Sequence, residues 1–306
     1  MLARLARAMI CKYRPLVIAV TGSVGKTSAR MAIFHLLKDT RRTRTAEKNY
    51  NNEIGVPLTI LGIDHQGRSV SVWIWSLVRV WMRSVVFTHA YPEILVLEYG
   101  VDRPGDMDYL VSIARPDIAV VTAIGDVPAH VEFFKDAEAL AAEKAKLVQA
   151  LSVDGYAILN HDDYAVYDMK EKTKAHMMTY GFEEHADMRI VHYELRVTKD
   201  QKLGDIPEGI TMKMQYGGSV VPARLHRVFG TPACYAAAAA VGLVLNKNMV
   251  EISEALAQYE PLPGRLRLLK GIKNSFILDD TYNASPEAMR VALDTLVELP
   301  GKRKIA

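Results

Sequence analysis

The chain has 306 residues, half of them hydrophobic and 24% charged, with a net charge of +3. That arithmetic fits a globular protein of about two domains and excludes disordered and collagen-like chains. Two cysteines, Cys11 and Cys234, exclude a disulfide scaffold and suit a reducing compartment.

Residues 1–44 carry ten Lys/Arg against a single acid, Asp39, so the amino end is basic and the remainder carries −6. No aromatic-plus-basic pattern of a nucleic-acid module accompanies it, and nucleic acid is not expected as a partner. Leu2, Leu5, Ala6, Met9 and Ile10 lie at helical spacing opposite Arg4 and Arg7. This predicts a short helix packed on the protein, with peripheral membrane contact left open.

A buried-strand pattern over Leu16–Val20 runs into Thr21-Gly22-Ser23-Val24-Gly25-Lys26-Thr27-Ser28, and a helix is expected over Lys26–Lys38. Glycines let backbone N–H groups approach phosphate oxygens, and the start of a helix adds a favourable dipole. Gly22, Ser23, Val24, Gly25, Lys26, Thr27 and Ser28 are therefore the candidate phosphate cradle. Lys26 would reach the terminal phosphates and Thr27 would put its hydroxyl on Mg²⁺. The strict motif asks for glycine at position 20, where this chain has valine, so only the shorter G-x-x-G-K-T remains.

Further along, Val70–Phe87 contains all three tryptophans, with Ser76, Arg79 and Arg83 on one polar stripe. The arginines argue against a membrane span and for a largely buried amphipathic helix. Apolar runs at Ile94–Leu97, Ile118–Val121 and Ala157–Leu159 read as strands, alternating with helices over Asp106–Ala114 and Asp136–Leu151. Such alternation predicts an α/β fold with a mostly parallel sheet flanked by helices. Glu98, directly after the run Ile94–Leu97, is the acid expected to complete the metal site. Asp187–Val228 alternates around Gly217-Gly218 and predicts a small antiparallel patch. Helices follow in Thr231–Leu245 and Met249–Tyr259, then a linker at Pro261–Gly264, a strand at Ser275–Leu278 and a helix over Pro286–Leu296. Arg303–Ala306 reads as a further strand beginning.

Together with the variant loop, several spaced motifs resemble the Mur ligase family, and within it the branch that adds D-alanyl-D-alanine (MurF type). They are Asn49-Tyr50-Asn51-Asn52-Glu53-Ile54-Gly55-Val56-Pro57, Leu97-Glu98-Tyr99-Gly100, Arg115-Pro116-Asp117, Ile124-Gly125, Ala129-His130, Leu159-Asn160-His161-Asp162-Asp163, Gly264-Arg265 and Asp279-Asp280-Thr281-Tyr282-Asn283-Ala284-Ser285-Pro286. The resemblance implies a P-loop ATPase domain over residues 16–262, preceded by the basic helix of residues 1–15 and followed, in 263–306, by the start of a Rossmann-like carboxy-terminal domain. It implies ATP-dependent amide formation in peptidoglycan precursor synthesis. A carboxylate on a UDP-muramoyl-peptide-like donor becomes an acyl phosphate, which the amine of an amino acid or dipeptide displaces. ATP and Mg²⁺ at two sites are the implied cofactors, in a cytoplasmic monomer. By position, Lys26, Thr27 and Glu98 match phosphate and first-metal roles, and Asn52 the asparagine near the γ-phosphate. His130 matches a second metal ligand, and Lys144 the lysine that is carbamylated to hold that metal, with Lys146 the competing assignment. Arg265 matches a phosphate-contacting arginine and Asp280 the ribose acid, with Asn283 and Ser285 in the adjoining loop. Asp162-Asp163 reads as a helix cap.

Departures from the family pattern touch four places. Only fifteen residues precede the first strand, so the usual UDP-sugar domain is lacking, and the carboxy-terminal domain stops after about forty. The adenine-contacting pattern is replaced by Thr231-Pro232-Ala233-Cys234-Tyr235-Ala236, and Ala123 stands where asparagine is usual, with Asp126-Val127-Pro128 lengthening the loop. As it stands the chain is expected to bind ATP but to ligate little. A ligase for another acid, resembling folylpolyglutamate or cyanophycin synthetases, and a non-catalytic nucleotide-binding or membrane-associated scaffold are the competing readings.

Overall fold

The computed structural model describes residues 1–46, 50–63, 73, 75–76, 78–79, 82, 90–125, 133–196, 207–227, 229–230, 232–273, 275–282 and 284–306. Its centre is one nine-stranded sheet with strand order β2-β3-β1-β4-β5-β6-β7-β8-β9. The strands are β1 (Leu16–Thr21), β2 (Thr43–Thr45), β3 (Ile94–Glu98), β4 (Ile118–Val121), β5 (Tyr156–Asn160), β6 (His176–Gly181), β7 (Met188–Arg196), β8 (Gly209–Tyr216) and β9 (Ser219–His226). Pairing is parallel from β2 through β7 and antiparallel from β7 to β9.

Successive side chains of a strand point to opposite faces, so a strand covered on both sides must be apolar throughout. In β1, Ile18 and Val20 enter one core and Val17 and Ala19 the other. The first core is covered by α2 (Lys26–Leu37), α7 (Pro232–Val244) and α8 (Met249–Ala257). The second is covered by α1 (Leu2–Tyr13), α3 (Gly55–Leu61), α4 (Asp106–Ile113) and α5 (Ala137–Gln149), with the short α6 (Tyr164–Tyr167) at its edge. The alanine run Ala236–Ala240 is wholly buried, which lets α7 approach α2 closely. After α8 a hairpin, β10 (Arg267–Lys270) and β11 (Phe276–Asp279), leads into α9 (Pro286–Glu298).

The mostly parallel sheet flanked by helices is as expected, and the amino-terminal helix packs on the fold through Ala6 and Met9, with Arg7 donating to Ser112. The expected antiparallel patch is present as β7–β9, joined to the main sheet through the parallel β6–β7 pairing. The helix expected over Val70–Phe87 falls largely outside the described residues. Of the part described, Trp73 packs partly buried against the second core, but Trp75 and Val78 are exposed rather than buried. Among the described residues no helix is long and apolar enough to cross a membrane.

Candidate active site

The strand order reverses around β1, whose neighbours are β3 and β4, and the crevice at the carboxyl ends of such strands is where α/β sheets bind ligands. The loop Gly22–Gly25 leaves β1 at that point, and α2 starts at Lys26. Gly25 has φ +82°, the left-handed region, and a Cβ there would sit 2.7 Å from Cys234 Sγ. At Gly22 a Cβ would fall 1.9 Å from Thr122 Oγ1. Both positions therefore require glycine, whereas Val20 is an ordinary buried strand residue, so the loop forms without the motif's first glycine. The loop is laced to the end of β4, with the N–H groups of Ser23 and Val24 both donating to the Ala123 carbonyl, at 2.6 and 3.2 Å.

Four cationic or acidic groups meet this loop. Register places Glu98 beside Val20, and the carboxylate is buried. Thr27 donates its hydroxyl to Glu98 Oε2 at 3.0 Å and accepts from Arg265 Nη2 at 3.2 Å. Lys26 Nζ donates to Ser23 O at 3.0 Å. Lys144, fully covered on α5, donates to Gly22 O at 2.7 Å from beneath. Burial pushes both ammonium groups down, Lys144 well below its ordinary value, with the Lys26 charge adding to the effect on Lys144. Glu98 opposes the shift at Lys26. Lys146 points elsewhere, to Asp108 and Glu143.

Arg265 is held by the ring of Tyr282, 4.0 Å from its guanidinium carbon. Asp280 accepts from Leu266 N and is half-buried, which raises its pKa. It lines a cavity of about 50 Å³ with Val24, Gly25, Ser28, Tyr235 and Arg265. A larger cavity of about 290 Å³ also touches Val24 and Gly25, and is lined by Thr122, Asn160, Tyr180, Cys234 and Glu298 among others. The replaced adenine pattern thus puts Cys234 against the loop, its Sγ 3.5 Å from Gly25 O, and Tyr235 edge-on to Tyr259.

Not every candidate arrives. His130 and Asn283 lie outside the described residues. Asn52 is exposed, and its Oδ1 accepts from Ile54 N and Gly55 N at the start of α3. The neighbouring Asn51 is the one that reaches the site, donating to Glu98 Oε1 at 3.2 Å. Ser285 caps α9 by accepting from Ala288 N. Asp163 caps α6 and also accepts from Ile124 N and Gly125 N. Asn51 and the buried Arg30, which donates to Glu98 Oε2 at 3.2 Å, are the two residues sequence reasoning missed. The signals were available: Asn51 stands in the asparagine-rich motif, and Arg30 lies one helical turn after Thr27.

The donors fit a hard divalent cation. A hydroxyl and a carboxylate already touch, both buried, and oxygen ligands of this kind suit Mg²⁺. Among the described residues no cluster of three or more His, Cys, Asp or Glu forms a further metal site.

A parallel sheet with a glycine loop, buried lysine and Thr–acid pair at its switch point defines a P-loop-type nucleotide-binding domain. Residues 82–220 match the Mur ligase middle domain. The chain is 28% identical, over 99% of its length, to UDP-N-acetylmuramoyl-tripeptide–D-alanyl-D-alanine ligase of Bacillus subtilis. It is likewise similar to the MurF ligase of Thermotoga maritima solved with ADP, at 28% identity and TM-score 0.78, covering 98% of this chain and 61% of that one. Folylpolyglutamate synthase of Mycobacterium tuberculosis shares the fold alone, at 16% identity and TM-score 0.66, covering 96% of this chain and 70% of that one. The chain spans 57% of the length of the Bacillus subtilis relative.

Proposed function

We propose that this chain supplies the ATP-handling part of a cytoplasmic amide ligase of the MurF type, joining D-alanyl-D-alanine to a UDP-muramoyl tripeptide. The observation that carries the reading is the convergence of Lys26, Lys144, Arg265 and the Thr27–Glu98 pair on one glycine loop. Its support from relatives is the shared name of the curated proteins. In this reading residues 16–262 are the ATPase domain, 1–15 a packed helix and 263–306 the opening of the ligase domain that brings Arg265 and Asp280 to the nucleotide.

A free carboxylate is a poor acyl donor, because its oxygen is a poor leaving group. One donor oxygen attacks the γ-phosphorus of ATP, the bond to ADP breaks, and an acyl phosphate results. The amine of the dipeptide then attacks the acyl carbon, phosphate departs, and the amine gives up a proton. The protein's work is positioning and charge neutralisation. Lys26 and the first-turn N–H groups of α2 take the phosphate charge, and Arg265 adds to it. Mg²⁺, held by Thr27 and Glu98, would neutralise the phosphate oxygens further. Lys144 has the depressed basicity that carbamylation needs, since only the neutral amine captures CO₂. The resulting anionic oxygens, with His130, would suit a second cation.

The test is release of ADP and phosphate by the full-length protein that requires both a UDP-muramoyl tripeptide and D-alanyl-D-alanine, and is abolished by Lys26→Ala. Nucleotide binding with no stimulation by any muramoyl peptide would overturn the substrate; stimulation by a folate acid instead would move the chain to the other ligase branch.

A further inference from the structure

Arg30 is among the largest fully buried side chains, at 1% exposure, and it sits on α2 one turn beyond Thr27. Its guanidinium spans two elements. Nε donates to Glu98 Oε2 at 3.2 Å, while Nη1 donates to Thr45 Oγ1 at 2.7 Å and to the Ala46 carbonyl. Glu98 is thereby gripped at both oxygens: Oε2 by Thr27 and Arg30, and Oε1 by Asn51. Asn51 belongs to the segment between β2 and α3, whose start at Thr45-Ala46 is the part Arg30 holds. The backbone of that segment is fastened again where Gly100 N donates to Asn51 O at 2.8 Å.

Burying a charge pair seldom stabilises a fold more than apolar packing of the same volume would. Arginine's rigid fork, however, fixes partners in a plane as no apolar residue can. We infer that Arg30 is a positioning residue for the Mg²⁺-nucleotide site: it orients the Glu98 carboxylate and ties it to the Asn51 segment. This rests on the nucleotide-binding part of the proposed function, not on the ligation step.

The experiment follows binding of a fluorescent ADP analogue to the whole chain as Mg²⁺ is titrated, and again in EDTA. Arg30→Lys keeps the charge but cannot reach Glu98, Thr45 and Ala46 together. It is expected to raise the Mg²⁺ concentration for half-maximal binding about tenfold or more, the usual effect of losing a partner behind a metal ligand. Binding in EDTA should stay close to that of the parent chain. Thr45→Val removes the hydroxyl that Arg30 holds, which also donates to Val96 O at 2.8 Å, and should shift the same midpoint less, in the same direction. It carries the test if Arg30→Lys does not fold. An unchanged Mg²⁺ midpoint in both variants, or equal loss of binding with and without Mg²⁺, overturns the inference. Full-length protein that fails to ligate while the parent chain binds Mg²⁺-ADP overturns the ligase reading and leaves Arg30 in place; parent chain that binds no Mg²⁺-nucleotide overturns both.

Discussion

The strand, loop and helix at Leu16–Leu37 and the strand, loop and helix at Phe276–Glu298 share one syntax but not one environment. β1 lies between two parallel neighbours and two helical layers, and its residues 17–20 are buried. Among the described residues β11 pairs only with β10. Leu268 turns inward to Phe229 and Leu299, but the cross-strand pair Leu269–Ile277 faces outward. On α9, Met289, Leu293 and Val297 recur at four-residue spacing and are all exposed. Each unit nevertheless delivers part of one site: the first the phosphate loop, the second Asp280. The difference separates a scaffold held from all sides from an arm joined to it by contacts that include Arg265 to Thr27 and Tyr193 to Glu298.

Substitutions can break that contrast or sharpen it. The largest effect is expected from Ile18→Ala in the doubly covered strand, a loss of about 2–5 kcal/mol in urea unfolding. Ile277→Ala on the outward face of the hairpin should stay within about 0.5 kcal/mol, and similar losses at both sites would erase the contrast. Gly25→Ala comes next: a clash with Cys234 and a left-handed backbone should cost about 1–3 kcal/mol and abolish ADP binding in calorimetry.

Lys144→Met should change how stability follows pH. The native pKa of Lys144 lies well below its ordinary value of 10.5, so the unfolded chain binds the proton that the folded chain releases. Its contribution is therefore fully present above the ordinary value and is lost as pH falls through the lowered native one. Denaturant midpoints of the parent should rise relative to Lys144→Met as pH climbs toward 10.5; parallel curves would show an unshifted amine. The same chain incubated with ¹³C-bicarbonate should show a carbamate signal that grows with pH and is missing in Lys144→Met. Arg265→Ala is expected to cost no more than about 1 kcal/mol because the side chain is partly exposed, while weakening ADP binding measurably.

Legibility in the sequence followed the same division. β1, its loop, α2 and the acid ending β3 were readable because double burial leaves an unbroken apolar run, and the loop's glycines are forced by close approach. Lys144, read alone, belongs to a solvated helix face; only the family resemblance placed it at the site, and its bond to Gly22 agrees. α3 escaped notice because all seven of its residues are buried, leaving no polar face to give a helical period. β2 escaped because Thr43–Thr45 is too short and polar to read as a strand. β10 was missed beside a proline-rich linker. Asn51 and Arg30 were missed for another reason: their roles arise from what the fold brings within reach of Glu98, and spacing alone carries no such information.

Ala123 shows how the loop tolerates change. The resemblance marks it as a departure, because an amide side chain is usual there. In this fold its peptide carbonyl takes two N–H groups of the glycine loop. Every amino acid has that carbonyl, so the loop's shape is insulated from drift at this position. Natural or designed variation at 123 can therefore retune what the neighbouring cavity accepts without dismantling the cradle beside it.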